Sequence, residues 1–149
     1  MWPPPSAPPA CSIIELAPAQ RAPTRDPRVR AAFVMAPLGV FFGPDAFRDV
    51  RAPVFLAWAT ADEALLPTEN AEPVARTIAT LAGTRVVTGA GHYVFLAPCS
   101  AELAAMVTAL CTDPAGIDRA QIHAALDADA VGFFAARLPS VPTRAASRP

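Results

Sequence analysis

Residues 85–95 read RVVTGAGHYVF, a short β-branched run that breaks into a Gly-x-Gly-His loop. Residues 85–88, with Thr84 before them, are long enough for a buried strand and too short for a helix. Gly89 and Gly91 are expected to let the backbone turn sharply, so that His92 presents its imidazole to a cleft. Upstream, residues 53–59 (PVFLAWA) form a second run, apolar on both faces as a parallel strand covered by helices should be. It continues into AWATADEALLP, residues 57–67, which places Asp62 just past a strand end. A third run, residues 29–35 (VRAAFVM), follows the turn signal of Asp26 and Pro27 and is ended by Pro37. Between the second and third strands in chain order, Val74, Ile78 and Leu81 predict a helix over residues 68–82, with Gly83 as its C-terminal cap. Pro73 is tolerable there only in the first turn. Two strand-to-strand crossovers imply a parallel sheet of about three strands with flanking helices, an α/β architecture.

Downstream, Ser100 is a plausible N-cap for a helix carrying Leu103, Val107 and Leu110. Asp118 with Gln121 resembles a capping box and opens a longer helix striped by Ile122, Leu126, Ala130, Phe133, Phe134 and Leu138. Asp45, in GPDAF, is expected to cap a short turn leading through Phe47 and Val50. The ends read differently. Residues 1–27 contain eight prolines, which can neither continue a helix nor donate to a sheet ladder, so a disordered arm is expected. Within it, residues 12–16 (SIIEL) are open to a second reading as a strand scrap or interaction patch. Residues 139–149 read as a tail, leaving residues 28–138 for the folded part. MWPPPSAPPA lacks the basic and apolar regions of a secretory signal, which points to the cytoplasm.

Composition narrows the function. The 12 basic residues are all arginine and balance 13 acidic ones without forming blocks, so no nucleic-acid surface is expected. Every apolar run is interrupted well before the roughly 20 residues of a membrane span, so no membrane partner is expected. No phosphate-binding glycine loop is present. No cysteine pair has C-x-x-C spacing and the two histidines lie far apart, so neither a metal nor another cofactor is implied.

The chemistry-bearing residues are therefore those at the carboxyl ends of the strands, where open parallel sheets gather their sites. Asp62 there could orient the His92 ring through its Nδ1 proton and stabilise the imidazolium. The alternatives are a turn-capping aspartate and a histidine bonded to backbone. Glu63 is read as solvated and His123 as structural.

The order of strand, Asp loop ending in Pro67, helix, strand, Gly-x-Gly-His and C-terminal helix resembles the last third of an α/β-hydrolase. The strings GHYVFLAPC and CTDPAGIDR look like the dienelactone-hydrolase-like branch of that superfamily, over roughly residues 26–138. The resemblance implies a partial α/β-hydrolase fold, Asp62 as the acid and His92 as the base of a Ser/Cys-His-Asp triad, and a carboxylic ester or lactone substrate. It also includes Cys99 and Cys111. A continuous helix from Ser100 would hold these two roughly 18 Å apart, beyond disulfide reach, so a bond requires the segment to fold back. Both arrangements stay open.

The nucleophile of such a triad sits in a G-x-S-x-G elbow earlier in the chain. None of the serines here has that context, and only Ser6, Cys11 and Ser12 precede Asp62 among candidate nucleophiles. Two expectations follow. One is the C-terminal part of an esterase or lactonase, inert alone and completed by an N-terminal half. The other is a non-catalytic hydrolase-like module that binds a partner or a copy of itself through an exposed strand edge.

Overall fold

The computed structural model of the protein describes residues 26–138; the expected proline-rich arm, apart from its last two residues, and the expected tail lie outside them. Three parallel strands, β1 (Ala32–Met35), β2 (Val54–Ala59) and β3 (Leu81–Val87), form one sheet in the order β1-β2-β3. The helices are α1 (Ala71–Thr77), α2 (Ala101–Met106), α3 (Thr108–Cys111) and α4 (Arg119–Arg137), with a 3-10 turn at His92–Phe95. No helix is long and apolar enough to cross a membrane among these residues.

Alternation along β2 explains the layers, because successive side chains point to opposite faces. Val54 and Leu56 pack with Val74 and Ile78, and this layer extends to Val34, Phe47, Val50 and Trp58. On the other face Phe55 stacks on Phe33, its register partner in β1, with ring centroids 4.7 Å apart, and both rings reach Phe133 of α4. Ala59 joins Val87, Ala90 and Val94 beneath Ile117 and Ile122. The sheet thus lies between α1 and α4, as a parallel sheet with two apolar faces requires.

Several expected boundaries change. The first strand starts at Ala32, because residues 26–29 form a turn closed by Val29 N–H on the Asp26 carbonyl. The helix expected over residues 68–82 is α1, ending at Thr77 where Ile78 turns extended and enters the core. Pro73 does lie in its first turn. The strand expected at residues 85–88 begins earlier, at Leu81, and Gly83 is inside it rather than capping a helix. A Cβ at Gly83 would come within 2.8 Å of the Phe55 ring, so the glycine admits that ring. Asp45 takes part in its turn through its carbonyl, which accepts from Arg48 N–H.

Ser100 and Asp118 cap as expected, accepting from the N–H groups of Leu103 and Gln121. The helix after Ser100 is not continuous. It breaks at Val107 (φ −135°, ψ 61°) into α2 and α3, and the fold-back brings Cys99 and Cys111 to a Cα separation of 5.7 Å in a disulfide. Along α4 the expected stripe narrows to Leu126 and Phe133 at full burial, and Leu138 is exposed.

Candidate active site

The loops after β2 and β3 are joined to each other by a continuation of the strand pairing. Thr60 N–H donates to the Val87 carbonyl, Gly89 N–H to Thr60 Oγ1, and Ala61 N–H to the Ala90 carbonyl, at 3.0, 2.8 and 3.0 Å. Gly89 has φ +75°, the left-handed region that favours glycine. Gly91 is extended (φ −89°, ψ −179°), a conformation open to any residue, so the expectation that both glycines are needed to turn the chain holds for Gly89 alone.

This zipper carries Asp62 and His92 to the same place although 30 positions separate them. Asp62 is 3% exposed, and both of its carboxylate oxygens are engaged. Oδ1 accepts from the N–H groups of Ala64 and Leu65 at 3.0 and 2.7 Å, and Oδ2 lies 2.8 Å from His92 Nδ1. A carboxylate with two backbone donors on one oxygen is held in a single orientation, so its other oxygen selects the ring nitrogen it meets. The proton on Nδ1 is donated to Asp62, which leaves Nε2 as the basic nitrogen of the neutral ring.

His92 is partly exposed and stands edge-on to Tyr93. Both border an open cleft of ≈ 490 Å³ whose other walls include Glu63, Ala64, Thr112 and Asp113. Glu63 is exposed, in keeping with its reading as a solvated neighbour of the acid. Among the described residues no group of His, Cys, Asp and Glu could hold a metal ion.

Four supporting contacts were not legible in the sequence. Asp113, on the cleft wall, makes a two-pronged ion pair with buried Arg119 at 2.8 and 2.9 Å, and Arg119 also donates to the Leu110 carbonyl. These bonds fix the end of α3 against the start of α4. Asn70, also buried, accepts from the N–H groups of Gly39 and Val40 and donates to the Leu66 carbonyl. It ties the loop after β1 to the entrance of α1. Arg85 pairs with Asp129, joining β3 to α4. His123, read as structural, places Nε2 2.8 Å from the Val94 carbonyl. Asp113 lies in the loop between α3 and α4 and Arg119 begins α4, so no single helix or strand pattern spans the pair or announces it.

Comparison with protein-family models, curated proteins and solved structures finds no match to this chain.

Proposed function

We propose that residues 26–138 are the C-terminal part of an α/β-hydrolase of the dienelactone-hydrolase-like branch, contributing the acid and base of a Ser/Cys-His-Asp triad that cleaves carboxylic esters or lactones. The observation carrying this reading is the bond between Asp62 Oδ2 and His92 Nδ1 at 2.8 Å, with the acid clamped by two backbone N–H groups. Its place at the carboxyl ends of two neighbouring parallel strands supports it further. In the proposed reaction His92 Nε2 takes the proton of a serine or cysteine nucleophile as that atom attacks the acyl carbon. The same proton passes to the departing alkoxide when the acyl-enzyme forms, and a water molecule then repeats the sequence to release the acid. Asp62 holds the ring and stabilises its cationic form without itself gaining a proton. Nucleophile and oxyanion hole would come from a segment outside residues 26–138.

The test is a chimera. Residues 26–138 replace the equivalent C-terminal part of an active dienelactone-hydrolase-like enzyme, and turnover of a small activated ester is followed. Turnover is expected, with loss in His92→Ala and a fall of about 10⁴-fold in Asp62→Asn. A folded chimera without turnover, or one insensitive to His92→Ala, overturns the reading. The 149-residue chain alone is expected to be inert; activity there that depends on His92 would require a nucleophile within it, with Cys11, Ser6 and Ser12 the first to substitute.

A second reading, a hydrolase-like module that binds a partner, is favoured by β1. Among the described residues this strand pairs only with β2, and it ends at Met35, whose side chain is exposed. An unpaired strand edge is a template for a further strand. Sedimentation of the purified chain decides between a monomer and a self-associated form. The disulfide supports residence in an oxidising compartment, against the cytoplasmic expectation from the N-terminal residues.

A further inference from the structure

The one-turn helix His92–Phe95 ends with carbonyls that have no helical partner of their own. Val94 within it is fully buried, packed among Ala59, Val87 and Ala90, so its carbonyl has no access to water. Left unpaired, such a group would carry its full desolvation cost. His123 of α4 supplies the partner, with Nε2 at 2.8 Å. A carbonyl only accepts, so Nε2 carries the proton and donates. The two histidines therefore engage through opposite ring nitrogens: His92 through Nδ1 to Asp62, His123 through Nε2 to the turn on which His92 stands.

We propose that His123 is a positioning residue for the Asp62–His92 pair, acting through the Val94 carbonyl. The inference rests on the reading of Asp62 and His92 as an acid-base pair. Apolar packing around Val94 fixes where its side chain lies but resists rotation of the turn only weakly, because such contacts are not directional. A hydrogen bond to a backbone carbonyl is directional and sets the pitch of the turn. Ile122, the preceding residue of α4, packs on the same cluster as Val94, so one turn of α4 provides both the apolar seat and the polar anchor. Both the neutral Nε2–H form and the cation of His123 can donate this bond, so the role does not depend on its charge.

The experiment reads the Asp62–His92 bond rather than turnover, and so separates this proposal from the hydrolase assignment. In the labelled 149-residue chain, a histidine Nδ1–H held on a carboxylate gives a far-downfield proton resonance, which Asp62→Asn assigns by removing it. His123→Gln and His123→Met are similar in length and volume, and only the glutamine offers an N–H to the Val94 carbonyl. The resonance is expected in the wild type, retained in His123→Gln, and lost to exchange with water in His123→Met with native far-UV circular dichroism. An equal signal in both variants, or its loss in both, overturns the role of His123. Should His123→Met fail to fold, the ring nitrogen shifts of His123 in the wild type decide: a proton on Nε2 supports the proposal and a bare Nε2 overturns it. A wild-type chain lacking the resonance overturns the Asp62–His92 pair itself.

Discussion

Asp62 and Asp113 are both buried or nearly so, and each solves the cost of a sequestered carboxylate differently. Asp62 collects two backbone N–H groups and an imidazole; Asp113 collects a guanidinium, 7% exposed, through two bonds. The second solution leaves a hostage, since removing the carboxylate strands a buried cation. Asp113→Ala is expected to lower the unfolding free energy by about 3–5 kcal/mol, whereas Asp113→Leu with Arg119→Met should lose far less, because the charge and its desolvation cost leave together. Urea titrations of both variants check this, and equal losses would contradict it. At this scale Asp62 and His92 were legible in the sequence because titratable residues just past apolar runs stand out. Arg119, Asn70 and the bond of His123 were not, because each depends on a partner that no local periodicity points to.

Among the elements, β3 shows how a neighbouring strand can overrule a local signal. A glycine after a helical pattern normally marks a C-cap, yet Gly83 lies in a strand because the Phe55 ring needs the space where its Cβ would be. Gly83→Ala is therefore expected to destabilise by about 1–3 kcal/mol despite the usual preference for alanine over glycine in regular structure, and Phe55→Leu in the same chain should recover part of the loss. Thermal unfolding of the single and double variants measures both. The α2–α3 break is a second case. Residues 101–111 are rich in good helix formers, and only the fold-back at Val107 lets Cys99 meet Cys111. Closing a loop of this length removes chain entropy from the unfolded state worth about 3 kcal/mol, so reduction is expected to lower the melting temperature. A variant with serine at both positions should match the reduced protein and lose all response to reductant.

For the molecule as a whole, the arrangement is a three-strand sheet held between α1 and α4, with β3 and α4 tied by Arg85 and Asp129. The Arg85 guanidinium bonded to Asp129 holds that carboxyl below its ordinary range, and Asp129 in turn raises Arg85. An acid whose folded pKa lies below its unfolded value binds fewer protons when folded, so its contribution is present above the unfolded pKa, about 3.9, and is lost as pH falls through the folded value. The chain is expected to lose stability below about pH 4, and Asp129→Asn should flatten that fall while lowering stability at neutral pH. Melting temperatures across pH 2–7 test it, and an unchanged acid limb in the variant would remove the pair from the account. Hydrophobic runs, turn residues and caps are short-range physics, and from them alone the order of the strands along the chain, the parallel α/β architecture, the caps at Ser100 and Asp118, and the positions of Asp62 and His92 past their strands could all be read. Where α1 stops, why Gly83 lies in a strand, how the cysteines meet and which charges pair follow from contacts between segments as much as 44 residues apart. Those contacts acquire a favourable energy only when packing has already brought the segments together and excluded water, so the tertiary structure decided them.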